Sequence, residues 1–176
     1  PPLTMASTSI AVLHAGAVPE FVDVDPDTWL MREAPPDVRA MLGVSLYGLR
    51  WQGASLDWRD GARARGERAI IDDAAQTLTP HSYGVDRGWP DFTSYSFQAS
   101  KILSTGEGGM LVTNDEGLAT RAREFSSLGY IMDARQPRID FAVLKHPDYA
   151  RHHTLGYNYR MNDATAALGL RQLAMA

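Results

Sequence analysis

Lys101 is one of only two lysines in a chain of 176 residues, the other being Lys145. It stands inside SFQASKILSTGEGG, residues 96–109. Ser94, Ser96 and Ser100 precede it, Ser104 and Thr105 follow, and glycines close the stretch. An amine used as a nucleophile must lose its proton, from a reference pKa of about 10.4. A poorly solvated pocket with cationic neighbours achieves this, and it is the usual setting of lysines that bond covalently to carbonyl groups. Short hydroxyls can hold a phosphate, and glycine lets backbone approach a ligand closely. The GxxxxGK[ST] spacing of a phosphate-binding loop is absent. The same residues also describe a solvated loop lysine ahead of a tight turn, and spacing alone does not separate the two.

Asp72 and Asp73 follow Ile70 and Ile71, with Gln76 three residues further on. An acid after an aliphatic strand either caps the next helix or projects toward a ligand. Two adjacent acids favour a division: one caps or faces water, the other points into the crevice. A carboxylate buried there needs a cationic or hydrogen-bonding partner, such as a protonated ring nitrogen. In LGYNYRMND, 155–163, Asn158 and Arg160 lie among tyrosines just before a helix, where capping and packing are the simpler roles. The five histidines form no HExxH pattern, and His152-His153 are adjacent, which converges poorly on one metal. No GxSxG element is present.

These residues must be positioned by an alternation of strands and helices. The pattern predicts a helix over 7–15 capped by Ser7 or Thr8 and ended by Gly16, then strands over 20–25 and 43–48. A helix over 55–66, weakened by Gly61, leads to strands over 69–74, 92–97 and 109–114. Asn114 is placed to cap a helix on which Leu118, Ala122 and Phe125 share a face, with Gly129 ending it. Residues 130–155 read as irregular, and a last helix starts near Asn162. Such alternation implies an α/β domain, three layers around a mostly parallel sheet. Ligands in these sheets bind beyond the C-terminal ends of the strands, which is where Asp73 and Lys101 fall.

Composition narrows the classes. A net charge of −4 with 44% hydrophobic and 22% charged residues fits a globular chain and argues against a broad nucleic-acid-binding face. The small basic run of Arg63, Arg65 and Arg68 contains Glu67 and reads as a solvated helix end. The absence of cysteine excludes disulfides and thiolate metal sites and fits a cytoplasmic protein. No apolar run reaches the roughly 18–20 residues of a membrane span, and no signal peptide is visible. The chain opens on Pro1-Pro2 and closes within a helical pattern, so it reads as a fragment of something longer.

Taken in order, TMAST (4–8), GAVPEFVDVDPDTW (16–29), SLYG (45–48), IIDDAAQ (70–76), SFQASKILSTGEGGMLVTND (96–115) and LGYNYRMNDATAALGLRQL (155–173) resemble the DegT/DnrJ/EryC1/StrS sugar aminotransferases. Those enzymes are of pyridoxal-phosphate fold type I. The resemblance covers essentially the whole chain. It implies pyridoxal 5′-phosphate as cofactor, glutamate as amino donor and a nucleotide-linked keto sugar as acceptor. It implies that Lys101 binds the cofactor covalently and then moves a proton as a general acid/base. Asp73 would pair with the pyridinium nitrogen, Gln76 would lie beside the ring and its 3-hydroxyl, and Ser96 would contact the phosphate. Asn158 would reach the phosphate of a neighbouring subunit, which implies a homodimer with shared sites. The chain is then a partial large domain, with an early phosphate-binding turn and a C-terminal small domain outside residues 1–176.

The sequence departs from the family pattern at three places. Met5 stands where an aromatic usually stacks on the cofactor; a sulfur–aromatic contact worth about 0.3–1.5 kcal/mol can replace part of that. Gln98 stands where many relatives have histidine, and QTLTPHSYG replaces a small-residue continuation after Gln76. Met5 and Gln98 keep open a non-catalytic relative that binds cofactor or sugar, and a third reading takes the chain, as a fragment, for an inert remnant. A related sugar 3-dehydratase branch carries histidine at the lysine position, and Lys101 argues against it.

Overall fold

The computed structural model describes residues 1–32, 35, 37–51, 69–78, 90–130, 145–148 and 150–175. The helix expected over 55–66 and the Arg63–Arg68 run lie outside the described residues. The chain forms two compact units, Pro1–Val112 with Thr165–Ala176, and Thr113–Ala164.

In the first unit, helix α1 (Ala6–His14) precedes strands β1 (Ala40–Val44), β2 (Ala69–Asp73), β3 (Phe92–Ser96) and β4 (Gly109–Val112). The sheet order is β1-β2-β3-β4. The first three strands are parallel, with Val44 opposite Asp73 and Asp73 opposite Ser94. β4 runs antiparallel to β3, so that Gly109 faces Ser96. This is the α/β, mostly parallel architecture expected. The consequence for chemistry is direct: parallel strands bring Val44, Asp73 and Ser96 to one edge of the sheet. The N-terminal edge is tied by Asp91, whose carboxylate accepts from the Ile70 amide at 2.7 Å.

The core gathers Leu30, Met31, Met41, Val44, Leu46, Trp51 and Ile70. Gly43 is there because it has no Cβ; one would lie 1.9 Å from the Trp51 ring. The indole is fixed at both ends of its environment, its Nε1 donating to the Met31 carbonyl at 3.1 Å and its amide donating to Ser45 Oγ at 3.1 Å.

Four local expectations are corrected. Residues 20–25 form no strand, only an isolated bridge between Val24 and Met31. Asp25 bends the chain first, its Oδ1 accepting from the amides of Asp27 and Thr28 at 3.0 Å each. The strand expected over 43–48 is β1, which ends at Val44 because a turn follows it. Helix α1 starts after Met5, with no side-chain cap, and neither Ser7 nor Thr8 caps it. Helix α2 (Glu116–Ser126) is capped by Asp115, whose side chain accepts from the Leu118 amide at 2.8 Å, and not by Asn114. Asp wins because its carboxylate also favours the positive end of the helix. The last helix, α3, runs Asp163–Leu173.

The Asp25 turn carries a pH signature. The Thr28 amide, then the Asp27 amide, hold its carboxyl below the ordinary 3.8. A pKa lowered on folding gives stability that is present above the unfolded value and lost as pH falls through the folded one. A carboxyl-resolved NMR titration is expected to place the Asp25 midpoint below 3.8. A midpoint at or above that value would contradict the turn.

Candidate active site

The loop between β3 and β4 carries Lys101, and its shape follows from its own bonds. Phe97 accepts from the Thr105 amide at 2.9 Å and donates its own amide to the Gly108 carbonyl at 2.8 Å. The loop ends are thereby held together, as in compact surface loops that pack on their own side chains. Phe97 and Leu103 are buried and anchor it. The Lys101 amide donates to the Gln98 carbonyl at 2.9 Å. Gln98 Oε1 accepts from both the amide and the hydroxyl of Ser100, at 2.8 and 2.6 Å. Gln98, one of the three departures noted in the sequence, is therefore a brace for the loop that carries Lys101. Gly106 and Gly108 take φ of +83° and +147°, conformations open to glycine and strained for other residues. A Cβ on Gly109 would sit 2.6 Å from the Tyr95 carbonyl oxygen. The glycines serve the turn and close approach of the strands.

The two adjacent acids do divide their roles, in a way that differs from the one expected. Asp72 neither caps nor meets water: it is 1% exposed, and both its oxygens accept from Ser45 Oγ, at 2.8 and 3.1 Å. Strand alternation sends Asp73 the other way. Its Oδ2 accepts from Thr8 Oγ1 at 2.6 Å and its Oδ1 from the Ala75 amide at 3.1 Å. Thr8 is buried in the first turn of α1, and its hydroxyl lies 3.1 Å from that of Thr4. Met5 is the residue just before α1 and is 67% exposed.

Beyond the strand ends lies a cleft of about 290 Å³ whose lining includes Tyr47, Gln76, Ser96 and Lys101. Three of the six residues singled out from sequence thus share one cavity. Asp73 ends the strand that leads into Gln76, and the Gln76 carbonyl accepts from the Gly48 amide at 3.1 Å. Tyr47 was not foreseen. It is 70% exposed and, with Gly48, holds a positive φ in the turn closed by Leu49 donating to the Leu46 carbonyl at 2.8 Å. A tyrosine in that conformation is uncommon, and the only hint in the sequence is the glycine after it. Asn158 belongs to the second unit, where it is exposed, bridges with Ser127, and lies beside the stacked Tyr157 and Tyr159 rings, 5.2 Å apart.

The cleft lining offers an amine (Lys101), hydroxyls (Ser96 at the end of β3 and Ser100 on the loop after it) and a carboxamide (Gln76). A carboxylate fixed from two sides waits at the adjacent strand end. Among the described residues, no cluster of His, Asp or Glu is disposed to hold a metal, and no helix is long and apolar enough to cross a membrane.

Fold and cleft together define an α/β chain with a cleft beyond the C-terminal ends of its parallel strands. The chain belongs to the DegT/DnrJ/EryC1/StrS aminotransferase family, which it matches over residues 1–176. It is 34% identical to the GDP-perosamine synthase of Caulobacter vibrioides over 180 residues, covering 98% of this chain and 44% of that protein. Its fold superposes on the aminotransferase from Psychrobacter cryohalolentis with a TM-score of 0.77 at 27% identity, over 97% of this chain and 44% of that one. It also matches DesI, solved in the presence of its TDP-sugar product, with a TM-score of 0.69 at 30% identity, over 99% of this chain and 41% of that one. The chain spans less than half the length of these relatives.

Proposed function

We propose that the chain is the cofactor-binding part of a pyridoxal-phosphate-dependent aminotransferase that moves an amino group from glutamate to a keto group of a nucleotide-linked sugar. The observation that carries this reading is the gathering of Lys101, Ser96 and Gln76 around one cleft beyond the strand end that bears Asp73. When bound, pyridoxal phosphate supplies an electron sink for the substrate carbanion. Every other role falls to the chain. Asp73, held by Thr8 and the Ala75 amide, would pair with the ring nitrogen. Gln76 would face the ring substituents and Ser96 the phosphate. Lys101 Nζ would hold the cofactor and serve as the general acid/base. Met5, ahead of α1, takes the place of the stacking aromatic.

The sugar substrate class rests on the relatives, one named GDP-perosamine synthase and one, DesI, solved in the presence of its TDP-sugar product. Residues 1–176 serve in this reading as part of a large domain, completed by segments outside them. Asn158 acts across a homodimer that shares its sites. The lysine itself favours a transaminase over the 3-dehydratase branch, and the brace provided by Gln98 gives that departure a local purpose compatible with catalysis.

The test is chemical. The native-length protein is expected to turn yellow with pyridoxal phosphate, and borohydride is expected to fix the cofactor on the peptide containing Lys101. Label on another peptide, or on none, overturns the reading.

A further inference from the structure

The hydrogen-bond chain behind Asp73 has a direction. Thr8 has one hydroxyl proton and places it on Asp73 Oδ2 at 2.6 Å. The 3.1 Å contact between the two threonine hydroxyls therefore runs from Thr4 to Thr8. The order is Thr4 to Thr8 to Asp73: two side chains from α1 and the segment before it, ending on a carboxylate at the tip of β2. Thr8 is 7% exposed, so water competes poorly for the bond. The Ala75 amide takes the other carboxylate oxygen at 3.1 Å. With one donor fixed on each oxygen, the carboxylate plane cannot rotate freely, and each oxygen keeps a lone pair for a further partner. The bond to Asp73 is also a tie from α1 to the end of β2, so the helix that follows Met5 is pinned where the strand meets the cleft.

We infer that Thr8 is the positioning residue of Asp73: it sets the orientation in which that carboxylate meets the protonated ring nitrogen of the cofactor, with Thr4 holding Thr8 in its donating rotamer. The inference rests on the function proposed above. Sequence offers no sign of it, because a threonine in TMAST reads first as a helix cap. The structure gives the hydroxyl to Asp73 instead.

The test is a double-mutant cycle on the native-length protein, read as the dissociation constant for pyridoxal phosphate. Thr8→Val keeps the shape and removes the donor. It is expected to weaken binding about tenfold, the scale of one hydrogen bond to a charged group. Thr8→Ser restores the hydroxyl and is expected to stay within about twofold of the parent. On an Asp73→Asn background, Thr8→Val is expected to have little further effect, because the anionic carboxylate that Thr8 aligns with the ring nitrogen is gone. A residue that only stabilised α1 would weaken both backgrounds equally. Parent-like binding by Thr8→Val, or an undiminished loss on the Asp73→Asn background, overturns the inference. If the valine is not accommodated, Thr8→Ala enters the same cycle. Failure of the parent itself to bind pyridoxal phosphate would count against the proposed function, which is a separate result.

Discussion

Gly43→Ala is expected to destabilise the chain by about 3 kcal/mol or more, the upper range for forcing extra volume into a packed core. The added methyl would overlap the Trp51 ring, whose Cε3, Cδ2 and Cζ3 atoms lie 1.9, 2.1 and 2.3 Å from its position. Neither side can give way cheaply. Gly43 lies within β1, in register with Asp72. Trp51 is 2% exposed, and its indole nitrogen donates to Met31. Moving the ring breaks that bond and disturbs the Trp51 amide, which donates to the Ser45 hydroxyl that binds Asp72. A buried carboxylate that loses its donor is itself costly. Out of a typical 5–15 kcal/mol of total stability, such a loss leaves a marginal domain. Urea unfolding followed by tryptophan emission measures it, and Trp51→Leu in the same chain is expected to recover part of the loss, since the two sites are in contact. An unchanged midpoint for Gly43→Ala would mean that the ring does not lie on the glycine.

The legible part of this molecule was the part governed by period and punctuation. The aliphatic run before Asp72-Asp73 reads as a strand because Ile70, Ile71 and their neighbours leave no other reading. The serines and glycines around Lys101 mark a tight loop for the same reason. What escaped was set by competition between partners distant in sequence. Thr8 reads as a cap until a carboxylate 65 positions on takes its hydroxyl. Asp72 reads as a cap or a solvent-facing acid until Ser45, 27 positions earlier, binds it in the core. Asn114 and Asp115 are both competent caps, and it is the Asp115 carboxylate that takes the Leu118 amide at the positive end of the helix. Tyr47 illustrates the opposite case: nothing in its chemistry favours a positive φ, and the turn imposes it. The strand at 20–25 failed for a local reason that was available in the sequence, since DVDPDT offers Asp25 a nearby amide pair. The cleft residues were found by resemblance; what they share in space, and the brace that Gln98 supplies, came only from the structure.

Lys101→Arg is expected to abolish borohydride fixation of pyridoxal phosphate and to lower 2-oxoglutarate formation by at least about 10²–10⁴-fold, the range for removing a general acid/base. Arginine preserves the positive charge and much of the length, so a lysine that merely attracted an anion would tolerate the change. Guanidinium stays protonated in proteins and cannot serve as the amine nucleophile or return a proton. The substitution should leave the loop intact. The bonds that shape it run through the Lys101 amide to Gln98, through Gln98 to Ser100, and through Phe97 to Thr105 and Gly108, none of which uses the lysine side chain. The thermal midpoint is therefore expected to move little, as for substitutions outside a packed core. Lys145, exposed in the second unit, is the internal control, and Lys145→Arg is expected to retain both fixation and turnover. Retained fixation in Lys101→Arg would assign the amine elsewhere in the protein. Lost turnover accompanied by a large fall in thermal midpoint would show a structural role instead. Only the combination of an unchanged fold, lost fixation and lost turnover places the reacting amine at Lys101, because no other property of the side chain changes between lysine and arginine in that way.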